Sequence, residues 1–528
     1  MILIQQQLSR RRFLQAAGTL TGLSLVAACA PAGSPNTPTE AAGDAAPTGP
    51  QRGGTLTVVL PGTTTSLDPA LVRGYDMQVL ILSLYEPLVK LDAERVAQPA
   101  LAEAWEVSED GLQWTFTLRP DVIFHHGTAL QAQDVVHTFT RVLDPDFGSP
   151  YRQILQFVAG VEALDASTVQ FTLRGPNIEF PQYLSAYATC IVPHDRSDEE
   201  LATAPSGTGP FRLTEYVPGE SAYTVRNESY RIPDLPYLDE VRHVYMTESA
   251  TQITALTSGT ADVLWQVGVE SLGALESNPD IQILEVAAGA HQPIHMRVTE
   301  PPFDDLRVRQ ALKQLINRDD MRQAVLQGRG TLGNDQPIST VSPYWAEIPA
   351  LAYDVDGAKA LLAEAGYADG LELTLTTTNA RPGMLETAVV FQEMAKAAGV
   401  TVTINQLPAD AYFPVSMERH GNFFMDNWAM LPTDNLMLTV VYSSQGPLNI
   451  MGWHTPELDR MIAATRSEPD ATARQELYTQ IQTLVSAEGA TIIPYFRPVL
   501  AAARSDVQGL ILTPDSLMDF STTWLAEA

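Results

Sequence analysis

Apolar residues along the body of the chain switch between two periods, and the switches mark out its elements. Thr55-Leu56-Thr57-Val58-Val59-Leu60 is an apolar, β-branched run that predicts a strand. From Gln113 to Leu118, Trp114, Phe116 and Leu118 alternate with polar residues, as on a strand with one face in water. Between Arg307 and Leu315 the period lengthens: Val308, Ala311, Leu312 and Leu315 fall at i, i+3, i+4 and i+7, one face of a helix. A second helix is expected from Asn317, as N-cap, to Gly328. The stretch from Asp354 to Ile404 carries the topology. A helix from Ala358 to Ala365 is ended by Gly366, and Leu371, Leu373 and Leu375 then alternate as a strand. A helix from Met384 to Ala398 follows, closed by Gly399, and then the strand Val400 to Ile404. Two strands joined through a helix predict a right-handed parallel crossover, hence an α/β body. Further on, Thr455-Pro456 opens a helix with N-cap and N1 proline. Leu477, Ile481, Leu484 and Val485 give the apolar face of another that ends near Gly489. The run from Thr491 to Phe496 reads as one final strand.

The first residues obey different rules. The apolar stretch Ala16 to Ala28 is too short to span a bilayer comfortably, which takes about 20 residues. It follows Ser9-Arg10-Arg11-Arg12-Phe13-Leu14-Gln15, which resembles a twin-arginine export signal in its paired Arg10 and Arg11 and departs from it at Gln15, where lysine is usual. Some Sec signals look the same, so the export route stays open. Val26-Ala27-Ala28-Cys29 resembles a lipobox, which makes residues 1–28 a cleaved signal peptide and Cys29 the lipidated N-terminus; the alternative is an incidental cysteine. From Ala30 to Gly54 the chain is mostly Pro, Ala, Gly and Thr, so 29–52 reads as a flexible tether. The other cysteine, Cys190, sits in an apolar run and reads as a small buried hydrophobe, leaving no internal disulfide.

Composition narrows the function. The formal net charge is −30, which argues against a nucleic-acid partner, since that needs basic stripes. With 45% hydrophobic residues in 528, the chain can bury a large core over two or three lobes.

Motifs spread along the chain resemble the peptide-type, family 5 solute-binding proteins of ABC importers, the group that holds dipeptide, oligopeptide and nickel binders. They are Gly53-Gly54-Thr55-Leu56-Thr57-Val58 with Ser66-Leu67-Asp68-Pro69, then Leu84-Tyr85-Glu86-Pro87-Leu88. The longest runs from Pro99 through Trp105 to Gly111 and on through Phe116-Thr117-Leu118-Arg119 to Phe124 and Gly127. Asp134-Val135-Val136, Gly207-Thr208-Gly209-Pro210-Phe211, Asp305 to Ala311 and Ala358-Lys359-Ala360-Leu361-Leu362 complete the set.

The resemblance implies a two-lobed α/β periplasmic-binding-protein fold, type II-like, with an extra subdomain inserted in the first lobe. By it, lobe I takes 53–92, 206–288 and 490–528, the inserted subdomain 93–205, and lobe II 289–489. It also implies an extracytoplasmic, lipid-anchored monomer that captures a small solute, with permease and ATPase subunits as partners, no cofactor and no catalysis. Gly74, Tyr75 and Asp76 occupy the place of a ligand-pairing loop, and Asn427-Trp428-Ala429 that of a tryptophan beside the ligand. The alternative for Tyr75 and Trp428 is an ordinary core aromatic, evenly balanced for Tyr75, whereas polar Asp426 and Asn427 beside Trp428 favour contact. Peptide binders of the family usually carry a carboxylate three residues after that tryptophan, and here the position is Leu431. Either Asp434 substitutes through a shifted loop, or the ligand lacks a free amino terminus; Asp434 in the turn-like Pro432-Thr433-Asp434-Asn435 could also be a surface residue.

Rival chemistries leave weaker marks. No Gly-x-Ser-x-Gly elbow stands in a strand–turn–helix context. Gly207-Thr208-Gly209 is followed by strand-like Pro210-Phe211-Arg212-Leu213 rather than a phosphate-binding helix, so it reads as a turn. His125-His126 would point to opposite faces if extended, and Pro293 keeps His291 and His295 off a regular helix, so no metal ligand is assigned. A nickel or metal-chelate binder, or a ligand sensor on the same scaffold, remains the alternative.

Overall fold

The computed structural model describes residues 49–62, 66–73, 76–412 and 420–526. The export signal with Arg10 and Arg11, Cys29, the tether, and Gly74 and Tyr75 lie outside the described residues. The chain divides after Gly49, and the sheets and cores all belong to the unit Pro50–Ala528.

Among the described residues, three larger sheets organise this unit. The first is mixed and eight-stranded. Its path runs through Ile281–His291, Tyr495–Arg504, Val263–Leu264, Thr55–Leu60, Glu240–Tyr245, Ser221–Arg226 and Phe211–Val217, with Thr331–Leu332 paired beside Tyr495–Arg504. Alternation decides which core each residue joins. Leu56, Val58, Leu60, Ala501 and Ala503 pack in one cluster, while Val59, Leu264, Leu500 and Ala502 pack in another.

The second sheet is antiparallel and four-stranded, in the order Ala102–Val107, Gln113–Leu118, Thr168–Leu173, Val158–Ala163. The alternating aromatics of Gln113–Leu118 face inward. Phe116 meets Phe171 edge-on at 5.6 Å, and Phe171 meets Phe139 of helix Ala132–Leu143 at 4.8 Å, geometries that add to simple area burial.

The third sheet is five-stranded, in the order Val400–Gln406, Leu371–Thr377, Phe423–Met425, Ile294–Met296, Thr491–Ile492. Leu371–Thr377 and Val400–Gln406 pair in parallel around helix Met384–Ala395, the crossover that the spacing predicts. The helix starts follow their caps. Asn317 accepts from the Asp320 amide ahead of Arg318–Leu326, and Thr455 from the Leu458 amide ahead of Pro456–Ser467.

One reading needs correction. The run from Thr491 to Phe496 is not a single strand: Thr491–Ile492 belongs to the five-stranded sheet and Tyr495–Arg504 to the eight-stranded one. Pro494 has no N–H to give a ladder, so pairing stops there and resumes on the other sheet. Buried Asp335 fixes the break by accepting from the Ile493 amide at 3.0 Å while pairing with Arg318. The same exchange happens alongside. Ile281–His291 leaves the first sheet at Gln292-Pro293 and continues as Ile294–Met296 in the third. His291 pairs with Phe496 on one side of the break and Ile294 with Ile492 on the other, so both crossings form one two-stranded ribbon.

Gly207 and Gly209 lie in a turn rather than a phosphate cradle. Any side chain at either would collide with the Leu84 carbonyl, so this approach of two backbones requires glycine. No helix among the described residues is long and apolar enough to cross a membrane.

Candidate functional site

The strip from Asp426 to Asp434 passes the ribbon where it changes sheets. Trp428 and His291 exchange both backbone hydrogen bonds, at 2.9 and 3.0 Å, which seats Trp428 at the crossing. The side chain of Gln292 donates to the Pro382 carbonyl at 2.8 Å and to Asn427 Oδ1 at 3.2 Å. Ahead of it the pairing register shifts between Val286 and Ala290, a bulge that includes Gly289. A Cβ on Gly289 would come to 3.1 Å of both Met430 Cγ and Ser339 Oγ, so the strip and the Ser339 loop converge there.

Three polar atoms in this neighbourhood are buried with no hydrogen-bond partner among the described residues: Trp428 Nε1, Ser339 Oγ and Gln292 Oε1. A buried polar group left unpaired costs about 1–3 kcal/mol. One donor, one acceptor and one hydroxyl that can be either form a set that a ligand with amide groups satisfies.

Further along, the strip meets the segments around the four-stranded sheet. Leu431 packs against both that sheet's core and the core of the five-stranded one, and Leu436 is buried in the former while Leu438 and Val441 lie in the latter. Arg95 clamps the strip by donating to the Leu431 and Pro432 carbonyls at 3.0 Å each, with Asp515 3.7 Å from its guanidinium. Between these segments remains a cavity of about 20 Å³, lined by Arg95, Glu179, Ser342, Tyr344 and residues 430–434. That is room for about one water molecule.

Two carboxylates face this cavity. Asp434 sits at the start of the short helix Asp434–Met437 and accepts from the Ser342 hydroxyl. Burial raises its pKa, opposed by that hydrogen bond and by Arg95. Glu179 is 2% exposed. Its Oε1 accepts from the Tyr478 hydroxyl at 2.6 Å, and the Thr433 hydroxyl also reaches the carboxylate. Burial pushes its carboxyl up to about 7, against the Tyr478 hydrogen bond and with added repulsion from Asp434. Tyr478 stacks on Tyr344 at 4.2 Å, and Arg474 donates to the Tyr344 hydroxyl. Larger concavities of about 420 and 390 Å³ are lined by residues 202–218 and 250–260. None of the polar side chains that line them is buried, so the chemistry points to the strip.

The residues singled out from the sequence separate accordingly. Asn427, Trp428, Leu431 and Asp434 lie on the strip; Asp434 is half-buried against Ser342, not a surface turn residue. Asp76 packs on Gly62 and accepts from the Val79 amide through its carbonyl. Cys190 is buried, and burial drives its thiol pKa upward. His125 bonds the Gly209 carbonyl and His126 the Ser206 hydroxyl. Among the described residues no group of three His, Cys, Asp or Glu side chains could hold a metal ion. Sequence reasoning missed Glu179, Arg95 and Ser342. The one local signal was that Glu179 lies directly between the apolar Ile178 and Phe180.

The profile of the bacterial extracellular solute-binding proteins, family 5 middle region, matches residues 96–448. The chain is 26% identical over 484 residues to the glutathione-binding protein GsiB of Pectobacterium atrosepticum, covering 89% of this chain and 94% of that one. It superposes with a TM-score of 0.77 and 25% identity on DppA, an ABC transporter-associated periplasmic binding protein from Helicobacter pylori in complex with the peptide STSA, covering 90% of this chain and 99% of that one. The fold is likewise that of HbpA2 from Haemophilus parasuis, with a TM-score of 0.80, 24% identity and coverage of 89% and 100%.

Proposed function

Because the chain belongs to the bacterial extracellular solute-binding proteins of family 5, we propose that it captures one small peptide or peptide-like solute outside the cytoplasmic membrane for an ABC importer. It binds its solute and returns it unchanged. The observation that carries the reading is the trio of orphaned buried groups beside the strip, Trp428 Nε1, Ser339 Oγ and Gln292 Oε1. A peptide backbone brings both donors and acceptors to them. The names of two relatives agree in class: one binds glutathione, and the other holds the peptide STSA.

The same reading assigns 53–92, 206–288 and 490–528 to the first lobe, 93–205 to the inserted subdomain and 289–489 to the second lobe. Gly74, Tyr75, Asp76, Asn427, Trp428, Leu431 and Asp434 face the solute. Arg10 and Arg11 direct export, and lipidated Cys29 tethers a monomer that docks on permease and ATPase subunits. Replacing Cys29 by serine is expected to release the protein from the membrane fraction of producing cells. If Cys29→Ser stays membrane-bound, the lipid anchor is wrong.

Titration calorimetry with glutathione and trialanine, followed by mass spectrometry of the recovered solute, tests the main reading. Saturable one-to-one binding with intact solute is expected for at least one of them, weakened by Trp428→Ala. Absence of binding to both, or recovery of a converted product, overturns it.

A further inference from the structure

Arg95 stands where a hairpin turn favours glycine. The strands Val89–Leu91 and Ala97–Pro99 are joined through Asp92, whose amide donates to the Val96 carbonyl at 3.1 Å and whose carbonyl accepts from the Arg95 amide at 3.0 Å. The turn closes with Arg95 at a φ of 62°, the left-handed position that glycine fills without strain. Glu94 and Val96 on either side are exposed, yet Arg95 is only 6% exposed. A strained backbone and a buried charge on a surface turn both cost stability, so the side chain, rather than the turn, accounts for the residue.

The guanidinium gathers distant parts of the chain. Its Nη2 donates to the Leu431 and Pro432 carbonyls, and its Nη1 lies 3.7 Å from Asp515. The helix Asp434–Met437 starts after these carbonyls, with Thr433 as N-cap, so neither belongs to its ladder. Asp515 is braced in turn. Its neighbour Ser516 is also left-handed, at a φ of 65°, and the Ser516 carbonyl accepts from the Trp265 indole N–H at 2.8 Å. Lys90 and Asp519, 3.5 Å apart, tie the two hairpins together. Arg95 therefore reaches the strip from a fixed base, and the planar fork of an arginine suits two carbonyls and a carboxylate at once.

We propose that Arg95 is a positioning residue that fastens the strip at Leu431 and Pro432 and thereby sets how slowly the solute leaves. The inference rests on the reading of the strip as the solute site. Arg95 acts on the backbone of the strip, three residues beyond Trp428. A contact that must break before the strip moves aside adds to the barrier for release and leaves the rate of encounter alone.

In the full-length protein, Arg95→Gly leaves the turn in its favoured conformation and removes only the side chain. Amide exchange without solute, followed by mass spectrometry, should quicken at least about tenfold in peptides covering residues 428–437, the effect of losing one hydrogen bond from a charged donor. Exchange across Gln113–Leu118 should stay as in the wild type. Stopped-flow tryptophan fluorescence with trialanine, or with glutathione if that is the peptide bound, should show release at least about tenfold faster and association within about twofold of the wild type. Unchanged exchange in the strip overturns the clasp, and so does exchange that rises equally in both regions, the mark of a loosened fold. Faster exchange with an unchanged release rate also overturns it and leaves the peptide reading intact. If neither peptide binds the wild type, the peptide reading fails, and the exchange rates alone decide the clasp.

Discussion

Replacing Glu179 by glutamine alters one atom of the cavity wall and removes one titration. In the folded chain burial lifts the Glu179 carboxyl from its usual 4.5 to about 7. The folded state therefore holds a proton that the unfolded state has lost across that interval. Stability is greatest below pH 4.5, falls as pH climbs toward 7, and is level above it. The shift of 7 − 4.5, about 2.5 units, converts at 1.36 kcal/mol per unit to about 3 kcal/mol, an upper figure because water penetration tempers such burial. Glutamine keeps an acceptor for Tyr478 and has nothing to titrate, so its curve lacks the fall. Urea midpoints of both proteins, read by tryptophan fluorescence at pH 4, 6 and 8, should show the variant gaining on the wild type by most of that amount between the extremes. Parallel curves would mean that Glu179 is ionised and solvated in the folded chain, and a dry acidic cavity would be refuted.

Three further outcomes follow from geometry. Asp68, fully buried, is paired with Arg141, whose only other carboxylate partner is the exposed Asp198 among the described residues. Asp68→Asn should cost about 3 kcal/mol in urea unfolding, and Arg141→Met in the same chain should recover part of it. Gly207→Ala forces a methyl group against the Leu84 carbonyl and should cost about 1–3 kcal/mol, whereas Gly175→Ala, with nothing within 4 Å, should stay within about 0.5 kcal/mol. His243 is buried with both ring nitrogens unpartnered among the described residues, and burial lowers its pKa to about 3. The wild type should lose stability as pH falls from 6.5 toward 3, and His243→Phe, measured by the same melts, should flatten that acid limb.

Local signals were legible in the sequence because their physics is local. Asn317 and Thr455 cap helices through amides three residues on, and the parallel pair 371–377 and 400–406 follows from a strand, a helix and a strand in succession. The exchange of sheets at Pro494 was not legible, since Thr491 to Phe496 has one continuous apolar pattern and only tertiary pairing divides it. The candidate site divides in the same way. Trp428 and Asp434 stood out through motif and departure, but Glu179 meets Tyr478 across 299 residues of chain. Nothing near Glu179 in sequence announces that a hydroxyl and a second carboxylate await it.

The ribbon at Gln292-Pro293 and Ile493-Pro494 has a mechanical consequence. Two neighbouring strands resist stretching and sliding along their length, yet each loses a rung of its ladder at a proline. The softest deformation left to such a ribbon is a fold across the line joining the two prolines. Any swing of one sheet against the other then has a single axis and a single coordinate, the angle about the line that joins the two prolines.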